Sequence, residues 1–225
     1  MVRETLNRQI HHILDETLLL GSMVEQAILN AVNALKLRDV SAAKDIYDED
    51  QAINDKRYAI ENAVLILIST QQPVAHDLRV LTAVLEVTTE LERIGDYAKG
   101  IAKVIIKLGS ESLPIPIREI TRMAEVGVSM LHRALGAFIT ENAQQAAEIP
   151  SEDDEVDELY NQVYRSMVNA MISDPSIIDS ANLILWIAHN LERTADRVTN
   201  LCERTLFIAT GELMEMDTSD DESMD

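Results

Sequence analysis

The chain has 225 residues, 47% of them apolar, which is enough for one large domain or two small ones with a sizeable hydrophobic core. Gly, Pro and aromatic residues are scarce, and this composition favours helix over sheet. The formal charge of −20 argues against a nucleic-acid-binding surface, because phosphate contacts need clustered Lys and Arg that no segment provides. We therefore expect an all-α protein whose natural partners are cations or basic surfaces.

Apolar residues at helical spacing predict three long helices in the first half of the chain. The first covers residues 10–35. The second covers residues 41–68, with Ser41 as its N-cap. The third covers residues 73–108 and ends at Gly109, because a glycine is well suited to the left-handed position that follows a helix.

The same plan restarts after two prolines at positions 114 and 116. Helices are predicted at residues 117–138, 152–172 and 175–210, the last of them ended by Gly211. The two halves align at an offset of 103 residues in the middle helix and 100 in the third, which indicates a tandem duplication. The simplest architecture is a pair of antiparallel three-helix bundles containing six long helices.

We expect the first repeat to occupy residues 1–112 and the second to occupy residues 113–211. Residues 212–225 contain seven acids and no base, so this segment is predicted to be a disordered tail. The single cysteine, Cys202, excludes an internal disulfide, and no signal peptide is recognisable. The longest apolar run, residues 63–68, is far short of the ~20 residues that a membrane span needs. A cytoplasmic protein that reaches the membrane only through partners is expected.

The most informative pattern is a pair of carboxylates four residues apart, present once in each half. Glu92 and Asp96 form this pair in the first half, and Glu192 and Asp196 form it in the second. Like charges at this spacing on a helix repel each other by roughly 0.2–0.5 kcal/mol, so the repetition suggests a cation held between them. Both pairs point away from the apolar stripe of their helix, so they are expected on the surface.

The middle helix of each half adds more oxygen-bearing side chains. Asp153 and Asp157 form a pair in the second half, and Asp50 and Asn54 are their counterparts in the first. If the middle and third helices are neighbours, four such side chains meet on one patch in each half. Oxygen ligands without Cys or His favour Mg²⁺, Mn²⁺, Ca²⁺ or ferric iron over structural Zn²⁺. The alternative is an ordinary solvated acidic face that the duplication copied.

Other reactive residue types favour structural roles. Helical spacing predicts core packing for Cys202, Trp186, Met167 and Met171. His189 stands three residues before Glu192, the reverse of the Glu-x-x-His order found in di-iron helical bundles. No nucleophile elbow, Walker loop or dinucleotide fingerprint occurs. A carboxylate-ligated metalloenzyme, either a hydrolase or an oxidase, is kept as a competing hypothesis, and a purely structural helical scaffold as a third.

Three segments of the chain resemble the PhoU family: residues 72–79, residues 91–98 and residues 190–200. The resemblance extends over residues 1 to about 211, and the duplicated Glu-x-x-x-Asp pattern makes it specific. It implies a non-enzymatic negative regulator of phosphate uptake and phosphate-starvation signalling. Such a protein would be an adaptor between the ATPase subunit of a phosphate ABC transporter and a membrane sensor histidine kinase, and a homodimer or higher oligomer is expected.

The resemblance also implies bound divalent or trivalent metal ions, with Fe, Mn, Mg and Zn as candidates. Carried over residue by residue, the ligands it implies are Asp50, Glu92, Asp96, Asp153, Asp157, Glu192, Asp196 and Asn200. Two departures make the first site chemically poorer: Asn54 stands where an acid is usual, and Gly100 stands where the second copy has Asn200. We therefore predict that the second half binds metal more tightly than the first.

Overall fold

The computed structural model describes residues 2–109 and 114–216, and its regular structure there is entirely helical. This confirms the prediction of an all-α chain with six long helices, to which the structure adds one short helix. The seven α-helices are α1 (Val2–Leu37), α2 (Val40–Gln71), α3 (His76–Leu108), α4 (Ile117–Thr140), α5 (Ala143–Glu148), α6 (Asp153–Ser173) and α7 (Ile178–Thr210).

The long helices form two three-helix bundles that lie side by side. Helices α1, α2 and α3 pack together in the first bundle, and α4, α6 and α7 pack together in the second. The bundles are joined where α3 packs on α7 and where α1 packs on α4. Helices α3 and α7 run antiparallel, because Arg79 near the start of α3 donates to the carbonyl of Ile208 near the end of α7, at 3.4 Å.

Helix ends in the first bundle differ in detail from the sequence prediction. The N-cap of α2 is Asp39 rather than Ser41, because the Asp39 carboxylate accepts hydrogen bonds from the first free backbone N–H groups, including that of Ser41 at 2.9 Å. Helix α3 begins at His76, not at Pro73. Proline disfavours helical backbone in the residue before it, and Gln72 leaves α2 with a left-handed φ of 49°.

The second bundle contains a turn that the sequence pattern did not predict. Helix α5 and a following 3-10 turn, Ile149–Glu152, come between α4 and α6. Asn142 caps α5 by accepting a hydrogen bond from the Gln145 N–H at 3.1 Å. A second 3-10 turn, Pro175–Ile177, precedes α7, so this helix begins at Ile178 rather than at Pro175. The local prolines explain both turns, because proline fits the start of a helix but not its interior.

The core confirms two of the four packing predictions in full, and Met171 is partly buried against it. Cys202 and Met167 are buried, and burial raises the pKa of the Cys202 thiol to about 12. The prediction for Trp186 was wrong, because its side chain is 44% exposed. The Trp186 ring lies instead against the backbone of Gly100, where α7 meets α3.

Helix α1 carries more apolar character than the longest uninterrupted run suggested. By length and composition alone, its segment Glu4–Leu37 could cross a membrane, and a core helix of a soluble protein passes the same test. In this fold Leu20, Val24 and Ile28 are fully buried, and α1 packs on α2, α3 and α4. Its apolar face is therefore explained by the core.

The proposed boundary between residues 112 and 113 falls outside the described residues and stays a prediction. The same holds for the disordered tail over residues 217–225. Residues 212–216 are described and contain no helix. Within them, the backbone N–H of Met216 donates to Oε1 of Glu203 at 2.8 Å, so the chain folds back beside α7 after Gly211.

Candidate functional site

Helices α2 and α3 bring the acidic residues of the first half together. Asp50 on α2 is only 4% exposed, and Glu92 and Asp96 lie on the facing side of α3. The three carboxylates are close enough for the charge of Asp50 to influence both of the others. The expectation that the middle and third helices are neighbours is therefore correct for this bundle.

Two of these acids have raised pKa values, first because they are partly desolvated and then because other carboxylates lie nearby. Desolvation raises the pKa of Glu92 above its ordinary value, and the charge of Asp96 raises it further. Desolvation also raises the pKa of Asp96, followed by the charge of Asp50. A cation placed among these groups would relieve the repulsion.

The first half already contains such cations. Nζ of Lys99 donates to Oδ2 of Asp50 at 2.6 Å, and this hydrogen bond raises the pKa of Lys99. Nη1 of Arg57 lies 3.3 Å from Oε2 of Glu92. The amide of Asn54 also donates to Oδ2 of Asp50, at 3.0 Å. Asn54 thus has a structural reason to be an amide, since a carboxylate has no hydrogen to donate.

The second half repeats the arrangement of acids on α6 and α7. Asp153 is 4% exposed, like Asp50, and Asp157 lies one turn further along α6. Glu192 faces α6, because its charge, after desolvation, raises the pKa of Tyr160 on that helix. Nδ1 of His189 lies 2.7 Å from Oε2 of Glu192, so this exposed histidine interacts with the acidic motif. Asp196 is half-buried one turn along α7.

Apart from Asn54, which matches Asp157, the matched positions in the two halves differ in the cations rather than in the acids. With the offsets given above, Lys99 corresponds to Thr199, and Arg57 corresponds to Tyr160. Thr199 is 3% exposed, and its hydroxyl has no hydrogen-bond partner within the described part of the chain. The positions that supply positive charge in the first bundle are therefore neutral in the second.

The arginines near the second acidic motif bind across the interface between the bundles. Nε of Arg193 donates to the Tyr97 hydroxyl at 3.1 Å, and Nε of Arg197 donates to the same oxygen at 3.3 Å. Nη1 of Arg197 also lies 3.2 Å from Oε2 of Glu90. This polar network joins α7 to α3 and fixes how the two repeats meet.

Asn200 lies in a different place from the other ligands that the resemblance implies. Its amide donates to Oε2 of Glu90 at 3.1 Å, in a groove of about 640 Å³ that Glu86 and Glu203 also line. Each step of four residues rotates a helical side chain by about 40°, which carries Asn200 away from Glu192 and towards α3. Its role as a metal ligand stays a prediction.

Gly100, the counterpart of Asn200, has a packing role. A Cβ atom at this position would lie 2.5 Å from Cη2 of Trp186, so any larger residue would push the indole ring away. The difference between Gly100 and Asn200 is thus explained by the contact between α3 and α7, and it need not reflect metal binding.

The two halves differ in how well they fit the metal that the resemblance implies. In residues 2–109 and 114–216, no three His, Cys, Asp or Glu side chains are already arranged to hold an ion. The first cluster does not fit one, because Lys99 and Arg57 contact its carboxylates. The second offers four carboxylates, with neutral residues at those two positions, and carboxylate oxygens are the donors that hard cations prefer.

The fold and these sites define a class: helical proteins built from two tandem three-helix domains with acidic motifs. Two segments of the chain, residues 17–105 and 120–205, match the PhoU domain model. The chain therefore belongs to the PhoU family of phosphate-specific transport system accessory proteins. It is a regulator of phosphate transport and not an enzyme, as the sequence resemblance implied.

Known relatives extend over nearly the whole chain. A PhoU homolog of Clostridium acetobutylicum is 36% identical over 217 residues, 96% of this chain and 99% of the relative. PhoU of Escherichia coli is 30% identical over 206 residues, 92% of this chain and 86% of the relative. The crystal structure of PhoU from Streptococcus pneumoniae superposes with a TM-score of 0.87 at 30% identity, covering 94% of this chain and all of that one.

Proposed function

We propose that this protein is a cytoplasmic negative regulator of phosphate uptake and phosphate-starvation signalling. In this proposal it is an adaptor between the ATPase subunit of a phosphate ABC transporter and a sensor histidine kinase. The observation that carries the proposal is the match of both tandem domains to a family named for phosphate-specific transport. The competing enzyme hypothesis loses its support, because the relatives are accessory proteins.

The proposal includes a metal ion in the second bundle. Asp153 and Asp157 on α6, with Glu192 and Asp196 on α7, would hold a divalent or trivalent ion; Fe, Mn, Mg and Zn are the candidates. A bound ion would neutralise the four carboxylates and fix α6 against α7. The choice of bundle is supported by Thr199 and Tyr160, which are neutral where the first bundle has Lys99 and Arg57.

Metal content measured on two matched variants tests this part of the proposal. Glu192→Ala should remove most of the bound metal from protein purified with Mn²⁺ or Fe³⁺, as measured by elemental analysis. Glu92→Ala, the counterpart in the first bundle, should leave the metal content nearly unchanged. Equal metal loss from both variants would contradict the assignment to the second bundle.

The adaptor role is tested by binding to the two proposed partners. Calorimetric titration of this protein into the ATPase subunit, and separately into the cytoplasmic part of the kinase, should give saturable binding. Treatment with EDTA should weaken one of these affinities while circular dichroism shows an intact fold. Unchanged affinities after metal removal would exclude a regulatory role for the metal, and no binding to either partner would exclude the adaptor.

The proposal also includes self-association, as a homodimer or a higher oligomer. Light scattering during gel filtration should give a mass at least twice the monomer mass of 25.1 kDa. A monomer at high micromolar concentration would contradict it.

A further inference from the structure

The buried carboxylate of Asp50 in the first bundle forms an ion pair with a lysine of the same bundle, Lys99. Asp50 is 4% exposed, and a buried carboxylate is costly unless it is paired. The Lys99 ammonium supplies the pairing at 2.6 Å and has 25% side-chain exposure. The same ammonium lies 5.3 Å from the centre of the Tyr47 ring, so the lysine is held from two sides.

Lys99 acts on two of the three acids of the first acidic cluster. Its ammonium bonds the buried Asp50 of α2, and its charge also acts on Asp96 of α3. It therefore neutralises acids from both helices at once, which is what a chelated ion does. Thr199, at the matched position of α7, has neither the length nor the charge to do this.

We propose that Lys99 is a built-in substitute for a metal ion in the first bundle. Asp50 of the first acidic cluster then has a permanent cation, and the second cluster is the part of the molecule that responds to metal. This contrast rests on the metal ion proposed above for the second bundle, but the role of Lys99 can be tested without it. The first bundle becomes a platform whose packing does not depend on metal supply.

The decisive variant is Lys99→Met, which keeps the apolar stem of the lysine and removes its charge. In metal-free buffer this variant should melt at a temperature about 6 °C or more below the parent, because a buried carboxylate has lost its cation. Millimolar Mn²⁺ or Mg²⁺ should restore at least half of that loss by filling the vacated position. The proposal would be overturned if Mn²⁺ and Mg²⁺ raised the melting temperature of the variant by no more than they raise that of the parent protein.

Two further variants make the result specific. Lys103→Met is the matched control, because Lys103 also lies over the Tyr47 ring, at 5.4 Å, whereas the ion pair of Asp50 is with Lys99. This variant should show neither the large fall in melting temperature nor the rescue by metal. Asp50→Asn combined with Lys99→Met removes both charges and should abolish the rescue. If Lys99→Met alone cannot be purified without metal, recovery of folded protein only with Mn²⁺ in the growth medium would support the proposal, and failure with the ion present would oppose it.

The metal content of the parent protein separates this inference from the proposed function. A parent without metal, together with rescue of Lys99→Met by Mn²⁺, would remove the metal of the second bundle and leave the role of Lys99 standing. If the parent contained one equivalent of metal and Mn²⁺ did not rescue Lys99→Met, the metal of the second bundle would stand and the proposed role of Lys99 would be wrong.

Discussion

In the first bundle, the buried Asp50 forms an ion pair with Lys99. In the second bundle, Asp153 matches Asp50, but the position that matches Lys99 is occupied by the neutral Thr199. Arg57, beside Glu92, is likewise matched by Tyr160. Apart from Asn54, which matches Asp157, both bundles keep the acids and the helix pair that presents them. The comparison teaches that a duplicated acidic motif can have different charged neighbours in its two copies, because the residues around the motif changed while most of its acids did not.

Removing the buried acid of the first bundle should give the largest effect on stability. Asp50→Ala leaves Lys99 without its partner and should lower the free energy of unfolding by about 2–3 kcal/mol. This is less than the ~3–5 kcal/mol typical of a fully buried pair, because the lysine is partly exposed. Urea unfolding followed by circular dichroism measures this. Asp50→Leu combined with Lys99→Met should recover most of the loss, and a double variant as unstable as Asp50→Ala would argue against a pairing role.

Adding a lysine to the second bundle should make it resemble the first. Thr199→Lys places an ammonium beside the second acidic cluster and should weaken Mn²⁺ binding by at least about tenfold, or about 1.4 kcal/mol, through competition for the carboxylates. Thr199→Val is the control, since valine has about the volume of threonine and adds no charge. Titration calorimetry with Mn²⁺ measures both, and equal affinities for the two variants would show that position 199 does not set the cation.

The small residue between the bundles gives an intermediate effect. Gly100→Ala brings a Cβ within 2.5 Å of the Trp186 ring and should destabilise the fold by about 1 kcal/mol, because the half-exposed indole can move only in part. Gly136→Ala is the matched control within helix α4, where nothing lies within 4 Å of the added methyl group, and it should stabilise by about 0.5–1 kcal/mol. Thermal unfolding distinguishes the two, and equal shifts would contradict the proposed contact.

The smallest effect concerns the pH dependence of the first cluster. The pKa of Asp96 is raised in the folded state, so its proton is bound more tightly there than in the unfolded chain. The resulting stabilisation is complete below its ordinary value near 3.8 and is lost as the pH rises through the raised pKa. At pH 7, Asp96→Asn should therefore melt about 1–2 °C above the parent.

The Asp96→Asn difference should vanish near pH 3. Melting curves at the two pH values, in buffer free of divalent ions, measure it. A variant that is less stable than the parent at pH 7 would mean that Asp96 is held by attractive contacts that outweigh its repulsion from Asp50.

Much of the fold could be predicted from the sequence, because helical periodicity and breakers are local signals. The six long helices and the stops at Gly109 and Gly211 came from such signals. The cap at Asp39 was missed in favour of Ser41, since both residue types cap helices and only the backbone conformation decides between them. The turn at residues 143–152 was missed because its apolar pattern is too short to read.

The acidic residues of the candidate site could be predicted from the sequence, but the lysine that pairs with Asp50 was missed. The pairs of Glu92 with Asp96 and of Glu192 with Asp196 are neighbours within one helix, so spacing alone reveals them. Lys99 is 49 residues from Asp50, and their contact depends on how α2 and α3 are rotated against each other. The duplication carried a usable signal, since aligning the bases of the two halves as well as the acids would have shown Lys99 opposite Thr199.

The sequence by itself determined that this protein is helical, duplicated and acidic, and that its carboxylates recur at fixed positions, because composition and periodicity act over one or a few helical turns. Only the tertiary structure decided that Trp186 lies over Gly100, that Asn200 turns towards Glu90, and that Lys99 neutralises Asp50. Each of these contacts joins residues from different helices. Their geometry follows from the packing angle and rotation of whole helices, which local patterns do not contain.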